Sequence, residues 1–215
     1  MVWWPRMSLV GVPPVPLAPG TEGPDRLRDS TAVFVRRGRP DDQTLVADLV
    51  HRLSPESIEE RYFSPIAPES VSQELLRPDD VAKRLSLLLF CERPDRSEMI
   101  GQGEYVRDGP RSPSAEIAFV VADAYQGKGA ASILLTRLAR SARDQGILRF
   151  RAIVLPENLK MLDVFRGSGF PCAVERRSDH IMVTLAIAEE PRPSYAPLVA
   201  PSASAAAAAP SPRAS

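Results

Sequence analysis

The chain has 215 residues, with 27 Lys+Arg balanced by 27 Asp+Glu and a pI near 6.8. That balance removes any global electrostatic drive toward nucleic acid or a membrane surface, and no apolar run approaches the ~20 residues a membrane span requires. Twelve of the 22 prolines fall in residues 1–30 and 191–215, which leaves the middle of the chain long enough to bury a core in one domain without disulfides or a structural metal.

In chain order, residues 1–30 mix Pro, Gly and isolated charges with no period of 2 or 3.6, and predict a disordered arm apart from Trp3 and Trp4. Thr31–Val35 reads as a strand. Pro40-Asp41-Asp42 then starts a helix through Leu45, Val46, Leu49, Val50 and Leu53. Ser54-Pro55-Glu56-Ser57 restarts a second helix toward Tyr62-Phe63, and a third, short one covers Val71–Leu76. Leu85–Cys91 and Met99–Arg107 flank the turn-rich Arg93-Pro94-Asp95-Arg96 and read as a hairpin. Ala115–Ala122 is apolar on both faces except at Glu116, as expected of a strand in the middle of a sheet. The spacing Ala131, Leu134, Leu135, Leu138, Ala142 predicts an amphipathic helix ended by Gly146. A strand at Phe150–Leu155, a helix from Asn158 to about Arg166 and a strand at Ile181–Ile187 follow. The folded domain is thus expected over 31–190, with 191–215 a disordered Ala/Pro/Ser-rich tail.

Cys91 lies in an apolar run and Cys172 stands alone, so both read as reduced thiols, and prolines 13, 14, 16 and 19 break any signal-peptide core. A cytoplasmic protein is the expectation. Two histidines and two cysteines are scattered along the chain, and no metal site is expected.

The segment Asp123-Ala124-Tyr125-Gln126-Gly127-Lys128-Gly129-Ala130-Ala131 closes the buried strand and opens the long helix at once. Such a turn presents backbone N–H groups without intrahelical partners at the positive end of a helix dipole, a setting that favours an anion. Glycine at 127 and 129 keeps side chains away from those amides, and Ala130 and Ala131 keep the rim low. A GxxxxGK[ST] loop fails because Lys128 is followed by Gly129. A GxGxxG loop lacks its third glycine, since Ser132 stands there, and the place for a ribose-binding acid falls at the helix end around Gly146. From Asp123 to Arg151 there are six basic and two acidic side chains, which suits a polyphosphate and equally a solvated helix face.

What remains is Gln126-x-x-Gly129-x-Ala131, which resembles the Q/R-x-x-G-x-G/A signature of the GNAT superfamily of acetyl-CoA-dependent N-acetyltransferases. The resemblance spans about residues 31–187, through element order and a second segment, Asn158 to Phe170 (NLKMLDVFRGSGF), similar to the family's N-x(n)-GF motif. It implies an α/β (α+β) GNAT fold, a central mixed, mostly antiparallel twisted sheet of about six to seven strands flanked by about four helices. It also implies acetyl-CoA as cosubstrate, no metal, and a set of binding residues. The amides of Gly127, Lys128, Gly129, Ala130 and Ala131 would hold the CoA pyrophosphate, with Gln126 opening the loop. Phe119, Val120 and Val121 would pair with the pantetheine arm like an added strand, and Asn158 would hold the arm from the other side, although Asn158 reads equally as a helix cap.

Leu53-Ser54-Pro55-Glu56-Ser57 to Arg61-Tyr62-Phe63-Ser64, with Ala115-Glu116-Ile117-Ala118-Phe119, is similar to the bacterial protein-lysine acetyltransferase branch of that superfamily. The proposed general base of that branch maps to Glu116. The chemistry calls for one, because an alkylamine of pKa ~10.4 must lose a proton before its nitrogen can attack a thioester. An apolar strand would leave Glu116 poorly solvated and so strengthen it as a base. Glu104, expected on the adjacent strand, ranks below it as an assistant or a substrate contact. Phe165 occupies the position where many members place a tyrosine as general acid, but a thiol leaving group of pKa ~8.5 can depart without one. The oxyanion would be held by a backbone N–H near Phe119–Val121. A covalent cysteine route would need Cys91 or Cys172 beside a base, and His51 and His180 are near neither in sequence. The expected activity is direct transfer in a ternary complex to a primary amine, a protein lysine or a small molecule, without nucleic-acid or membrane partners; a noncatalytic CoA-binding regulatory domain is the other reading.

Overall fold

The computed structural model describes residues 16–39, 41–63, 70, 80–92 and 97–191. Trp3 and Trp4, the helix expected at 71–76, the hairpin turn at 93–96 and the tail from 192 onward lie outside them. The described elements run β1 (Gly23–Arg26), β2 (Ala32–Arg37), α1 (Gln43–Val50), α2 (Pro55–Tyr62), β3 (Arg84–Glu92), β4 (Ser97–Arg107) and β5 (Ser114–Val121). After a 3₁₀ turn at Asp123–Tyr125 come α3 (Ala130–Asp144), β6 (Arg149–Val154), α4 (Leu159–Arg166), β7 (Cys172–Arg176) and β8 (Ile181–Ala186).

All eight strands join one sheet in the order β1-β2-β3-β4-β5-β6-β8-β7. Every neighbouring pair is antiparallel except β5 and β6, which run parallel along Ser114↔Arg149, Ala115↔Phe150 and Glu116↔Arg151 only. The sheet has one strand more than the expected range. Both strands absent from the sequence reading, β1 and β7, are at its edges. Their sequences, GPDR and CAVER, alternate between half-buried and exposed, so there is little apolar period to read, and Pro24 is tolerated because an edge strand has one unpaired side. The arm expected to be irregular through residue 30 is therefore structured in its described part: β1 pairs with β2, and Thr21 and Leu27 are buried.

Adjacent residues of β4 point to opposite faces, and this sorts the helices. Gly103 faces α3, where Leu138 approaches, and Phe119 on the same face meets Phe165 of α4 at a centroid distance of 6.2 Å. Glu104 faces the other side, where Arg61 of α2 reaches it, and Arg36 of β2 grips Asp42 at the start of α1 with bonds of 2.6 and 2.8 Å. Ser54 caps α2 by accepting the Ser57 N–H at 3.2 Å, with Pro55 at the first helical position. Gly146, at φ 72°, ends α3 as its place in the sequence predicted. No helix among the described residues is long and apolar enough to cross a membrane.

A Cβ at Gly103 would lie 2.8 Å from Cδ1 of Phe119 and 3.1 Å from Leu138. Gly103→Ala should therefore displace a ring that is already wedged against Phe165, destabilising the domain by roughly 1–3 kcal/mol, a loss readable as a lower urea midpoint.

Candidate active site

Because β5 and β6 stop pairing at Glu116↔Arg151, the two strands part, and a cavity of about 290 Å³ opens between them. Its walls are Glu116 to Val121 of β5, Ala152 to Val154 of β6, Ser57, Glu60, Arg61 and Phe63 from α2 and the segment just after it, and Asn158 to Phe165 on the α4 side. The floor is largely apolar. At one end stands the turn from Gln126 to Ala131.

That turn has the conformation its glycines allow. Gly127 and Gly129 sit at φ 71° and 92°, in the left-handed region, and Gly129 occupies the N-cap of α3 without a side chain to cap it. Among the described residues, no hydrogen bond uses the backbone N–H of residues 127–132; the first helical bond runs from Ile133 to Gly129 at 3.1 Å. A row of unpaired amides at one end of a cavity fits a polyanion such as a diphosphate. The side chains of the turn behave differently. Gln126 is a brace: its amide nitrogen donates to Ser57 Oγ at 2.9 Å, Asp123 Oδ1 at 3.1 Å and the Val121 carbonyl at 3.3 Å, and its oxygen accepts from Lys160 Nζ at 3.1 Å. Lys128 points away from the cavity, to Asp29 at 3.2 Å.

Beyond Glu116, the edge of β5 that includes Phe119, Val120 and Val121 has no strand beside it on the β6 side. Opposite stands Asn158, buried, whose Oδ1 caps α4 by accepting the Met161 N–H at 2.9 Å. Its amide nitrogen makes no hydrogen bond among the described residues, so the cap leaves donors available to the cavity.

The two carboxylates of the central strands have opposite surroundings. Glu104, 4% exposed, is held by Arg61 on one oxygen and by Arg84 on the other, with Arg84 Nε and Nη2 at 2.9 and 2.6 Å. Both of its oxygens are held by fixed charges, so the expected role as an assistant or a substrate contact gives way to a structural one. Glu116 lines the cavity and is exposed, so the apolar surround expected for it is absent. The reason is the two-residue period: Ala115 and Ile117 face the core, and Glu116 between them is turned out of it.

Reading the sequence missed the contribution of α2. Glu60 lines the cavity with its carboxyl pushed up by burial, against the pull of Lys160. Ser57 joins Asp123 at 2.5 Å. The signal was present in the capped SPES start, but nothing local says that the next turn of the helix faces a site. Phe165 is buried against Phe119 and brings no hydroxyl to the cavity. Neither cysteine lines it, and burial pushes the Cys172 thiol up, away from the thiolate form.

Removing Glu104 would take away the buried carboxylate that Arg61 and Arg84 share. Glu104→Ala should cost roughly 3–5 kcal/mol of stability in denaturant titration at neutral pH, far more than a surface pair would.

The Acetyltransferase (GNAT) family model matches residues 53–170, more than half of the chain. Acetyltransferase Pat of Mycolicibacterium smegmatis is 39% identical over 71 residues, a match covering 33% of this chain and 21% of that protein. The chain therefore spans about a fifth of that curated relative. Among solved structures, the GNAT domain of S. lividans PAT superposes with a TM-score of 0.67 at 31% identity, covering 77% of this chain and 97% of that one. A cAMP-binding acyltransferase from Mycobacterium smegmatis gives 0.54 at 26% identity, over 77% of this chain and 47% of the other. Split strands, bare amides and these matches agree: the chain belongs to the GNAT acetyltransferase family.

Proposed function

We propose that the protein moves an acetyl group from acetyl-CoA to a primary amine, with protein lysine as the acceptor class, by direct attack in a ternary complex. The observation that carries this reading is the row of unpaired backbone N–H groups at 127–132, which opens on the same cavity as Glu116. The amides of Gly127, Lys128, Gly129, Ala130 and Ala131 hold the diphosphate, and the open edge of Phe119–Val121 takes the pantetheine arm as a strand. The amide nitrogen of Asn158 faces the arm from the α4 side. Gln126 contributes through its brace, which fixes the loop against α2 and α4. When bound, acetyl-CoA supplies the acyl group as an activated thioester.

Glu116 is the general base. An exposed carboxylate at the cavity wall is within reach of solvent and of an incoming amine, so it can accept the acceptor's proton directly or through one water. A backbone N–H near Phe119–Val121 donates to the developing oxyanion. With Phe165 offering no proton, the sulfur departs as the CoA thiolate and takes its proton from solvent, and with both cysteines outside the cavity the acetyl group passes straight to nitrogen. Lysine is preferred as acceptor because the segments from Leu53 to Ser64 and from Ala115 to Phe119 resemble the bacterial protein-lysine acetyltransferase branch.

Glu116→Gln should lower kcat by roughly 10²- to 10⁴-fold in a steady-state thiol-release assay while leaving the acetyl-CoA dissociation constant nearly unchanged; an unaltered rate would remove Glu116 from the mechanism. Running that assay on candidate proteins beside polyamines and free amino acids separates a lysine acceptor from a small amine. Binding of CoA with no turnover of any amine would favour a regulatory domain. Gly129→Val places a β-branched residue at φ 92° on the rim of the amide row and should abolish the rise in melting temperature that CoA gives the parent protein.

A further inference from the structure

The end of α2 carries two costs that packing does not offset. Phe63 sits at its C-cap with φ 59°, in the left-handed region, where a bulky residue is strained and glycine is usual. It is also left 44% exposed. Among the described residues, the other non-glycine positions with positive φ, Ser30 and Arg111, do not line the cavity, and Phe63 does. Backbone strain without burial, at a cavity wall, is the pattern of a group held ready for a ligand.

The course of α2 selects between the two ends of the cavity. The helix begins near the cofactor turn, where Ser57 Oγ accepts from Gln126 at 2.9 Å, and then passes Glu104, which Arg61 holds. Glu104 is opposite Ala118, two residues from Glu116 and on the face that Glu116 shares. Phe63, two residues beyond Arg61, therefore stands at the Glu116 end, away from the turn at 126–131. Across the split, Ile153 of β6 lies two residues past Arg151, the partner of Glu116, and so projects from that same face. It too lines the cavity, and it is 38% exposed.

We infer that Phe63 and Ile153 are the two walls of the acceptor channel, packing on the methylene arm of the incoming lysine while its amine reaches Glu116. The inference rests on the reading of the acceptor as a protein lysine. Such a side chain suits this end of the cavity, with an apolar stem for the two walls and one amine for the carboxylate. Each methylene taken out of water between the walls strengthens binding roughly fourfold.

The test uses the full chain, acetyl-CoA and a lysine-bearing peptide, and compares Phe63→Gly and Ile153→Ala with the parent. Each variant should raise the KM for the peptide about tenfold. Both should keep kcat at saturating peptide and the acetyl-CoA dissociation constant within about twofold, since the lost contact is the same before and in the transition state. Glycine accepts the left-handed cap, so Phe63→Gly should also raise the melting temperature by about 2–4 °C, a gain that a ring supporting the fold would not give. A parent-like peptide KM in either variant overturns the inference and leaves the lysine reading standing. A drop in melting temperature and acetyl-CoA affinity together in Phe63→Gly also overturns it, because the ring would then be a brace. If the parent acetylates small amines and no lysine in any peptide or protein, the lysine reading itself falls, and this inference with it.

Discussion

A parallel strand pair held along only three residue pairs is the constraint from which the site follows. Parallel pairing at the start of β5 and β6 keeps the sheet continuous, and its end at Glu116↔Arg151 forces the strands apart. The parting exposes one edge of β5, makes room for a cavity, and places the turn after β5 and the helix α4 after β6 on opposite sides of it. Backbone groups left unpaired in such a place are costly unless something else satisfies them. A linear ligand with an anion at one end and an amide-bearing arm at the other meets both demands, and acetyl-CoA has that form.

The sheet also separates two acids that look alike in sequence. Glu104 and Glu116 lie on the same face, since Ala118 is opposite Glu104 and is two residues from Glu116. One is clamped between Arg61 and Arg84, tying α2 to β3 and β4. The other is at the point where β6 diverges, with no such clamp around it. Burial with two fixed cations makes a strut, and exposure at a cavity wall leaves a carboxylate open to solvent.

The amino-terminal hairpin shows how an edge element can enter a site. β1 buries little, and its pairing with β2 would be marginal alone, but the turn it makes is bonded to Lys128 and Gly127. The turn at 126–131 is thus braced from three directions: by the hairpin, by Ser57 of α2 and by Lys160 of α4. Rigidity of this kind keeps the amide row in place before any ligand arrives, which lowers the ordering cost of binding.

Sequence alone determined what depends on neighbours along the chain. The apolar period of Ala131 to Ala142, the capped SPES start, Gly146 as a helix stop and the bare turn at 126–131 are local statements, because helix periodicity, caps and left-handed glycines act within a few residues. Asn158 as a cap was legible for the same reason. Tertiary structure alone decided which groups meet across the fold: that β1 and β7 are strands, since edge strands take their form from a partner; that Glu104 is spent on Arg61 and Arg84, which are 43 and 20 residues away; and that Lys128 turns outward to Asp29. Each of these follows from pairing between distant segments, where a charge finds its partner only after the sheet has assembled.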